Sequence, residues 1–487
     1  MVFIMKIIFC GIILFLSFVG INAQTAKNKA FTVTAKVDER IELTSIVARL
    51  AGYEEYVHNN FKVYAEEVDK HFAKYKNHPV IEFAKEVRGK NGIGFDAVPN
   101  LAVGLNPTPL LTPRVAFTAD VPDKRWGKAD AEKFAKLLRQ FYKDAECEKF
   151  FKSHAEMYRI AEKRFQQVLD KVDFSWYQKF YGEIPKGTFN LYIGLLNGGG
   201  NFGPKVVLPN GKEELYSIMG TWAVEKDGLP SYSEDALPTI IHEFNHSFIN
   251  HLVVPQKEVF VKSGEKVFPF VKDSMSRLAY GEWTTVVRES LVRAAVIRYL
   301  FEHPLEVKFF ADTKREDVPY KVIDIENSSG FYWMNDLVML LGTYENSRQI
   351  YPTFRSFMPM IEAYFKELPK RIDNKVKSFE AFRPKIIKIV EFENNSQEVD
   401  SNTKQITVIF DKPLKGRGYS INHGRLGGEG FPEIEKIIGY SEDGLKFTLQ
   451  VKLKPDWNYE FVMTGDGFVS KDGYPLQEYE VKFKTKK

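Results

Sequence analysis

The chain is almost without cysteine, with two in 487 residues. Cys10 lies in an apolar N-terminal run, and Cys147 stands alone beyond it. A chain that has lost that run cannot form an internal disulfide. Stability must then come from the size of a buried core, not from cross-links. Cys147 sits in the helix-like stretch Ala145–Phe150 and reads as a small apolar side chain, not a nucleophile. An excess of charge is missing too. The formal net charge is +4, with lysines and acids interspersed along the chain. Phosphate binding needs concentrated positive charge, so no nucleic-acid partner is expected. No internal repeat or low-complexity tract is evident, and the composition suits a folded protein of about two or three domains.

Long hydrophobic runs are absent except at the start. Ile7–Val19 is nearly continuous apolar sequence, preceded by Lys6 and followed by Ile21, Asn22 and Ala23. That is the pattern of a cleavable export signal over residues 1–23, leaving Gln24 or Thr25 first. The run is shorter than the roughly 20 apolar residues of a membrane span. No lipoprotein cysteine stands at the cut. A secreted or periplasmic location is expected.

Helical periodicity dominates from about Glu39 to Phe180, interrupted by Pro99, Pro107, Pro109 and Pro113. Lys149–Val172 reads as one long helix. Thr188–Leu196 is short, apolar and bounded by glycines, which is a strand signature, and Leu215–Met219 suggests another. Helical patterning returns over Glu234–His251 and Lys272–Phe301, and in pieces to about Phe382. From Pro384 onward the period is two. Ile406, Val408 and Phe410 alternate with polar residues, as do Phe447, Leu449, Val451 and Leu453, and Tyr479, Val481 and Phe483. The expected fold class is α+β, with a mostly helical domain over 24–383 and a small all-β sandwich over 384–487.

The segment richest in chemistry is Thr239–Asn250, which contains His242-Glu243-Phe244-Asn245-His246. On a helix, residues four apart project from nearly the same side, so both imidazoles can grip one metal ion. Zinc suits two imidazoles and a carboxylate, and it lowers the pKa of bound water. Glu243, beside the first ligand, is placed to take a proton from that water and pass it to a leaving group. His251 is five residues past His246, about 140° around the helix, which points it elsewhere. The third ligand is expected at Glu289, an acid among Val286, Val287, Leu291, Val292, Ala294 and Ala295. Arg293, one turn on, can hold that carboxylate from behind. Glu282 is the rival.

H-E-x-x-H on one helix, with a Glu and a nearby Arg-Ala on a later one, resembles the gluzincin metallopeptidases. Residues from about 35 to 380 are similar to a secreted bacterial domain family of unassigned function. The stretches that carry the likeness are VDERIEL (37–43), NGGGNFGP (197–204), TIIHEFNHSFIN (239–250) and RESLVRA (288–294). The resemblance implies one zinc ion per chain on His242, His246 and Glu289, with Glu243 as general base. It also implies an edge strand that pairs with an extended peptide or protein substrate, a role that falls to Asn197, Gly198, Gly199, Gly200 and Asn201. A tyrosine is expected to stabilise the oxyanion: Tyr332 is the first choice, with Tyr299 and Tyr344 as alternatives. The C-terminal module resembles bacterial Ig-like domains, through ITVIFDKPL (406–414), SEDGLKFTL (441–449) and KDGYPLQEYEVKFKT (471–485). That likeness implies a spacer or a contact with cell-surface material. The leading expectation is a secreted zinc metallopeptidase. A non-catalytic zinc-containing surface protein and a zinc hydrolase of a non-peptide substrate are the alternatives.

Overall fold

A computed structural model describes residues 33–184, 187–278, 280–305 and 313–487. The expected export signal, 1–23, lies outside the described residues. No helix among the described residues is long and apolar enough to cross a membrane.

The architecture is α+β, as the patterning implies. Two separate hydrophobic cores form. The larger runs from Val33 to Ile372, and the smaller from Ile386 to Phe483. The last helix of the first ends at Phe382, so the change of period near Pro384 is also the change of core.

The first core is organised on a four-stranded sheet of β1 (Ala35–Val37), β2 (Gly187–Gly194), β3 (Lys205–Val207) and β4 (Glu213–Gly220). Its order is β1-β2-β4-β3. β1, β2 and β4 run parallel, with Leu191 opposite both Ala35 and Ser217. β3 is antiparallel to β4 and closes the edge. The connection from β1 to β2 contains most of the helices, consistent with the long crossover that parallel strands require. β1 and β3 have three residues each and are too short to leave an alternation in the sequence.

Lys149–Val172 is two helices, not one: Cys147–Ser153 and Ala155–Leu169. His154 breaks the run. Its Nδ1 bonds the Phe150 carbonyl at 2.7 Å, and its Nε2 meets Glu67 at 2.6 Å. A local side-chain bond to the backbone competes there with the helical ladder. Cys147 is buried, and burial pushes its thiol up to about 12. It is an unreactive core residue.

The C-terminal strands are β5 (Ile386–Ile389), β6 (Gln405–Phe410), β7 (Ile421–His423), β8 (Glu433–Tyr440), β9 (Lys446–Lys452), β10 (Asn458–Met463) and β11 (Tyr479–Lys484). They form two antiparallel sheets, β5-β6-β9-β8 and β11-β10-β7. Phe447, Leu449 and Val451 of β9 and Val481 and Phe483 of β11 turn into the shared core. This is the alternation of a two-sheet sandwich.

Candidate metal centre

Two helices of the first core carry the site. The first, Leu237–Ile249, has Pro238 in its first turn, where a missing N–H costs nothing. Ile240, Ile241, Phe244 and Phe248 bury one face. Phe244 packs on Phe189 of β2 at 4.5 Å between ring centres. With that face committed to the sheet, His242, Glu243 and His246 are left half-buried on the open side. The second helix, Trp283–Glu302, crosses behind. Asn245 joins the two: it accepts from the Tyr181 hydroxyl at 2.9 Å and donates to the Val292 carbonyl at 3.5 Å.

The crossing brings Glu289 to the two histidines. The Nε2 atoms of His242 and His246 stand 3.1 Å apart. Glu289 Oε2 is 3.5 Å from His242 Nε2, and Oε1 is 3.5 Å from His246 Nε2. Donors about 2.0–2.1 Å from a tetrahedral zinc ion lie about 3.3 Å from one another. The 3.1 and 3.5 Å separations are near that value, the two imidazoles facing different oxygens of the carboxylate. The His246 Nδ1 faces Asn250 Oδ1 at 3.2 Å, which orients the ring so that its Nε2 is turned to His242 and Glu289. His242 is held neutral: burial, then the neighbouring His246 and Arg293 charges, push its pKa well below the usual value. Two imidazole nitrogens and a carboxylate within 4.8 Å of one another form a donor set that could hold a metal ion.

Behind Glu289 lies a charged brace. Tyr280 donates to Glu289 Oε2 at 3.0 Å and accepts from Arg293 at 3.0 Å. Arg293 Nε is 3.6 Å from Glu289 Oε2. The same guanidinium grips both oxygens of buried Glu326, at 2.8 and 2.9 Å. The expected Arg293–Glu289 contact is therefore present, but the stronger hold of Arg293 is on Glu326. Neither Tyr280 nor Glu326 was found from the sequence. Tyr280 sits in a loop without periodicity, and Glu326 comes from the distant helix Val318–Ser328.

Glu243 faces the edge strand. Burial raises its pKa to about 7, with Glu289 adding to the rise and His246 opposing it. Gly203 lies against its carboxylate so closely that a Cβ there would overlap Glu243 Oε2. Gly203 follows Phe202, which bridges to Ile218 of β4, and Pro204 accepts from the Tyr216 N–H at 2.9 Å. The segment entering the edge strand is thus what borders the site.

The residues expected to contact substrate are placed differently. Asn197 is buried and accepts from Ser45 at 3.3 Å. Asn201 accepts from the Gly220 N–H at 3.0 Å. Gly198 takes φ +55° and packs on His58, while Gly199 and Gly200 complete the turn. Asn197–Asn201 is tied down by polar side chains, and the approach to Glu243 passes to Phe202–Pro204.

The structure does not bring Tyr332 to the histidines. Its ring packs on Phe379 at 5.1 Å and lines a cleft at the seam with the sandwich. Aromatic packing decided its position. Tyr299 accepts from the Asp173 N–H at 2.9 Å, and Tyr344 donates to the Phe180 carbonyl at 2.6 Å, so both hydroxyls are engaged in the core. Glu282 immediately precedes the second helix, makes no capping bond and is exposed, as is His251.

A family profile described as "Domain of unknown function (DUF4932)" matches residues 33–364. No curated protein matches the chain. Among solved structures, domains 1–6 of the surface layer protein SbsC align at 15% identity over 55% of this chain, with a TM-score of 0.16. The N-terminal part of the bacterial S-layer protein SbsC aligns at 15% identity over 55% of this chain and 61% of its own, also at 0.16. The chain spans 35% of the first of these. Scores this low carry no argument about fold or function.

Proposed function

Because the chain belongs to the DUF4932 family, whose function is unassigned, its activity has to be read from its own site, and we propose that it is an exported zinc-dependent metallopeptidase. The observation that carries the proposal is the convergence of His242, His246 and Glu289 within 4.8 Å of one another, beside a fourth group, Glu243, that is not needed to hold an ion. A purely structural zinc site has no use for such a base.

His242 Nε2, His246 Nε2 and the Glu289 carboxylate would hold the ion. A bound zinc ion supplies Lewis acidity, polarising a substrate carbonyl and acidifying water. Glu243 would accept the proton from the attacking water and return it to the departing amine. Tyr280, Arg293 and Glu326 fix the Glu289 carboxylate. Gly203 lets the edge segment approach Glu243, so an extended peptide paired with that edge passes the base. The sandwich is read as a spacer or a surface contact, and export rests on the apolar run Ile7–Val19.

The test is metal content and proteolysis of the purified chain beside Glu243→Gln. About one zinc per chain is expected in both. Cleavage of a denatured protein mixture is expected to fall by about 10²–10⁴-fold in the variant. Zinc in both without cleavage by either would transfer the reading to a non-catalytic surface protein or a non-peptide hydrolase. No zinc in either would remove the proposal.

A further inference from the structure

The helix Glu39–Leu50 is buried on every side from Arg40 onward. Such a helix is ordinarily apolar all round. This one carries Glu42, Ser45 and Arg49, three and four residues apart and so aligned on one face. All three reach the same region. Glu42 accepts from the Leu195 N–H at 2.9 Å. Ser45 donates to Asn197 Oδ1 at 3.3 Å. Arg49 donates to the His58 carbonyl at 3.0 Å and to Asn59 Oδ1 at 2.9 Å, with Asp69 at 2.7 Å answering its charge. A Cβ on Gly198 would come within 3.0 Å of His58, so the segment held by Arg49 is the wall on which the glycine turn rests.

Leu195 and Asn197 open the connection from β2 to the edge segment Phe202–Pro204. That connection contains Gly198, Gly199, Gly200 and Gly203, and glycine loses more conformational freedom on ordering than any other residue. Close approach demands small residues here. A Cβ on Gly220 of β4 would overlap the Gly198 carbonyl, and one on Gly203 would overlap Glu243 Oε2. The far end of the connection is tied to β4. Asn201 accepts from the Gly220 N–H at 3.0 Å, and Phe202 and Ile218 exchange backbone bonds of 3.0 and 2.8 Å. The near end is tied to the helix. Directional hydrogen bonds fix a loop along its length, where apolar contacts would let it slide. An apolar side chain in place of Glu42 would avoid the desolvation that raises its pKa to about 8. What only a polar one supplies is an acceptor for Leu195.

We propose that Glu42 and Ser45 are positioning residues: through Leu195 and Asn197 they set where Phe202–Pro204 lies beside Glu243, and hence how an extended peptide is received there. The part played by the peptide rests on the metallopeptidase reading; the placement of the segment does not.

The test takes two readouts on the whole chain. One is KM and kcat for a peptide substrate. The other is amide hydrogen exchange over 195–204, which needs no activity. In Ser45→Ala and Glu42→Ala, exchange over 195–204 is expected to quicken and KM to rise by about three- to tenfold, the size of one lost hydrogen bond, while zinc content and kcat hold. Glu42→Gln keeps an acceptor for the Leu195 N–H and is expected to restore both readouts. A role in folding alone would lower kcat with the folded fraction and leave KM as it was. If Glu42→Ala does not fold, Ser45→Ala, which removes one hydroxyl, carries the test. In an active wild type, an unchanged KM in Ser45→Ala would overturn the proposal, as would exchange that quickens equally in the metal-site helix Leu237–Ile249. A wild type without proteolysis removes the peptidase reading. Exchange then decides the placement by itself, and an unchanged rate over 195–204 in Ser45→Ala overturns it.

Discussion

Each domain buries a glutamate, and the two are used in opposite ways. Glu460 of the sandwich is 6% exposed. It accepts from the Arg425 N–H and lies 3.7 Å from Lys482, so its charge is answered inside its own fold. Glu289 is 7% exposed. Tyr280 and Arg293 stand on one side of it, and two imidazole nitrogens on the other. Burial alone therefore does not mark a functional acid. What sets Glu289 apart is that it faces two imidazole nitrogens from a neighbouring helix, a group that could hold a metal ion.

The comparison breaks most easily at Glu289 itself. Glu289→Gln keeps the shape and removes the charge, and His246→Ala removes a donor. Zinc affinity, read by competition with a chelating dye, is expected to fall by more than about 100-fold in each, since even outlying partners of ligands are worth about 10–100-fold. Wild-type affinity in Glu289→Gln would show that Glu289 resembles Glu460 after all.

The brace behind Glu289 should matter less. Tyr280→Phe and Glu326→Gln each remove one partner, and losses of about 10–100-fold in zinc affinity are expected, with the secondary structure unchanged by circular dichroism. An unaltered affinity in both would limit the brace to packing.

Glu460→Gln sharpens the other half. Leaving buried groups without their partner costs about 1–3 kcal/mol. Urea unfolding should show that loss, while zinc content stays at the wild-type level. Zinc lost along with Glu460 would mean that the two cores are not independent.

Glu42, a further buried acid of the first core, gives the effect most specific to one pH window. Glu42 is fully buried and has one oxygen on the Leu195 N–H at 2.9 Å, with Tyr64 beside it. Burial raises its pKa from 4.5 to about 8. The folded state therefore holds a proton that the unfolded state releases, and the wild type loses stability as pH rises between 4.5 and about 8. Glu42→Gln lacks this term. Its melting temperature relative to wild type should rise across that window and level off above it; a constant difference would mean that Glu42 titrates normally.

His242, Glu243 and His246 were legible because four residues of one helix suffice to bring two imidazoles together, and helix periodicity is written locally. Glu289 was legible because an acid amid valines and alanines needs a partner wherever the helix lies. Tyr280, Glu326 and Gly203 were not legible, since nothing within a few residues of each records what it meets. Tyr332 shows the same limit from the other side. It lies in an aromatic run near the right helices, yet ring packing on Phe379 carried it to the domain seam.

By itself the sequence determined the α+β class, the change of period near Pro384, and the helical histidine pair. These depend on short-range periods that survive without any knowledge of the fold. Tertiary structure alone decided which edge borders Glu243, which side chains brace Glu289, and that two domains close a cleft between them. Those contacts join residues tens to hundreds of positions apart, and only the packing of helices on the sheet, and of one core against the other, brings them within reach.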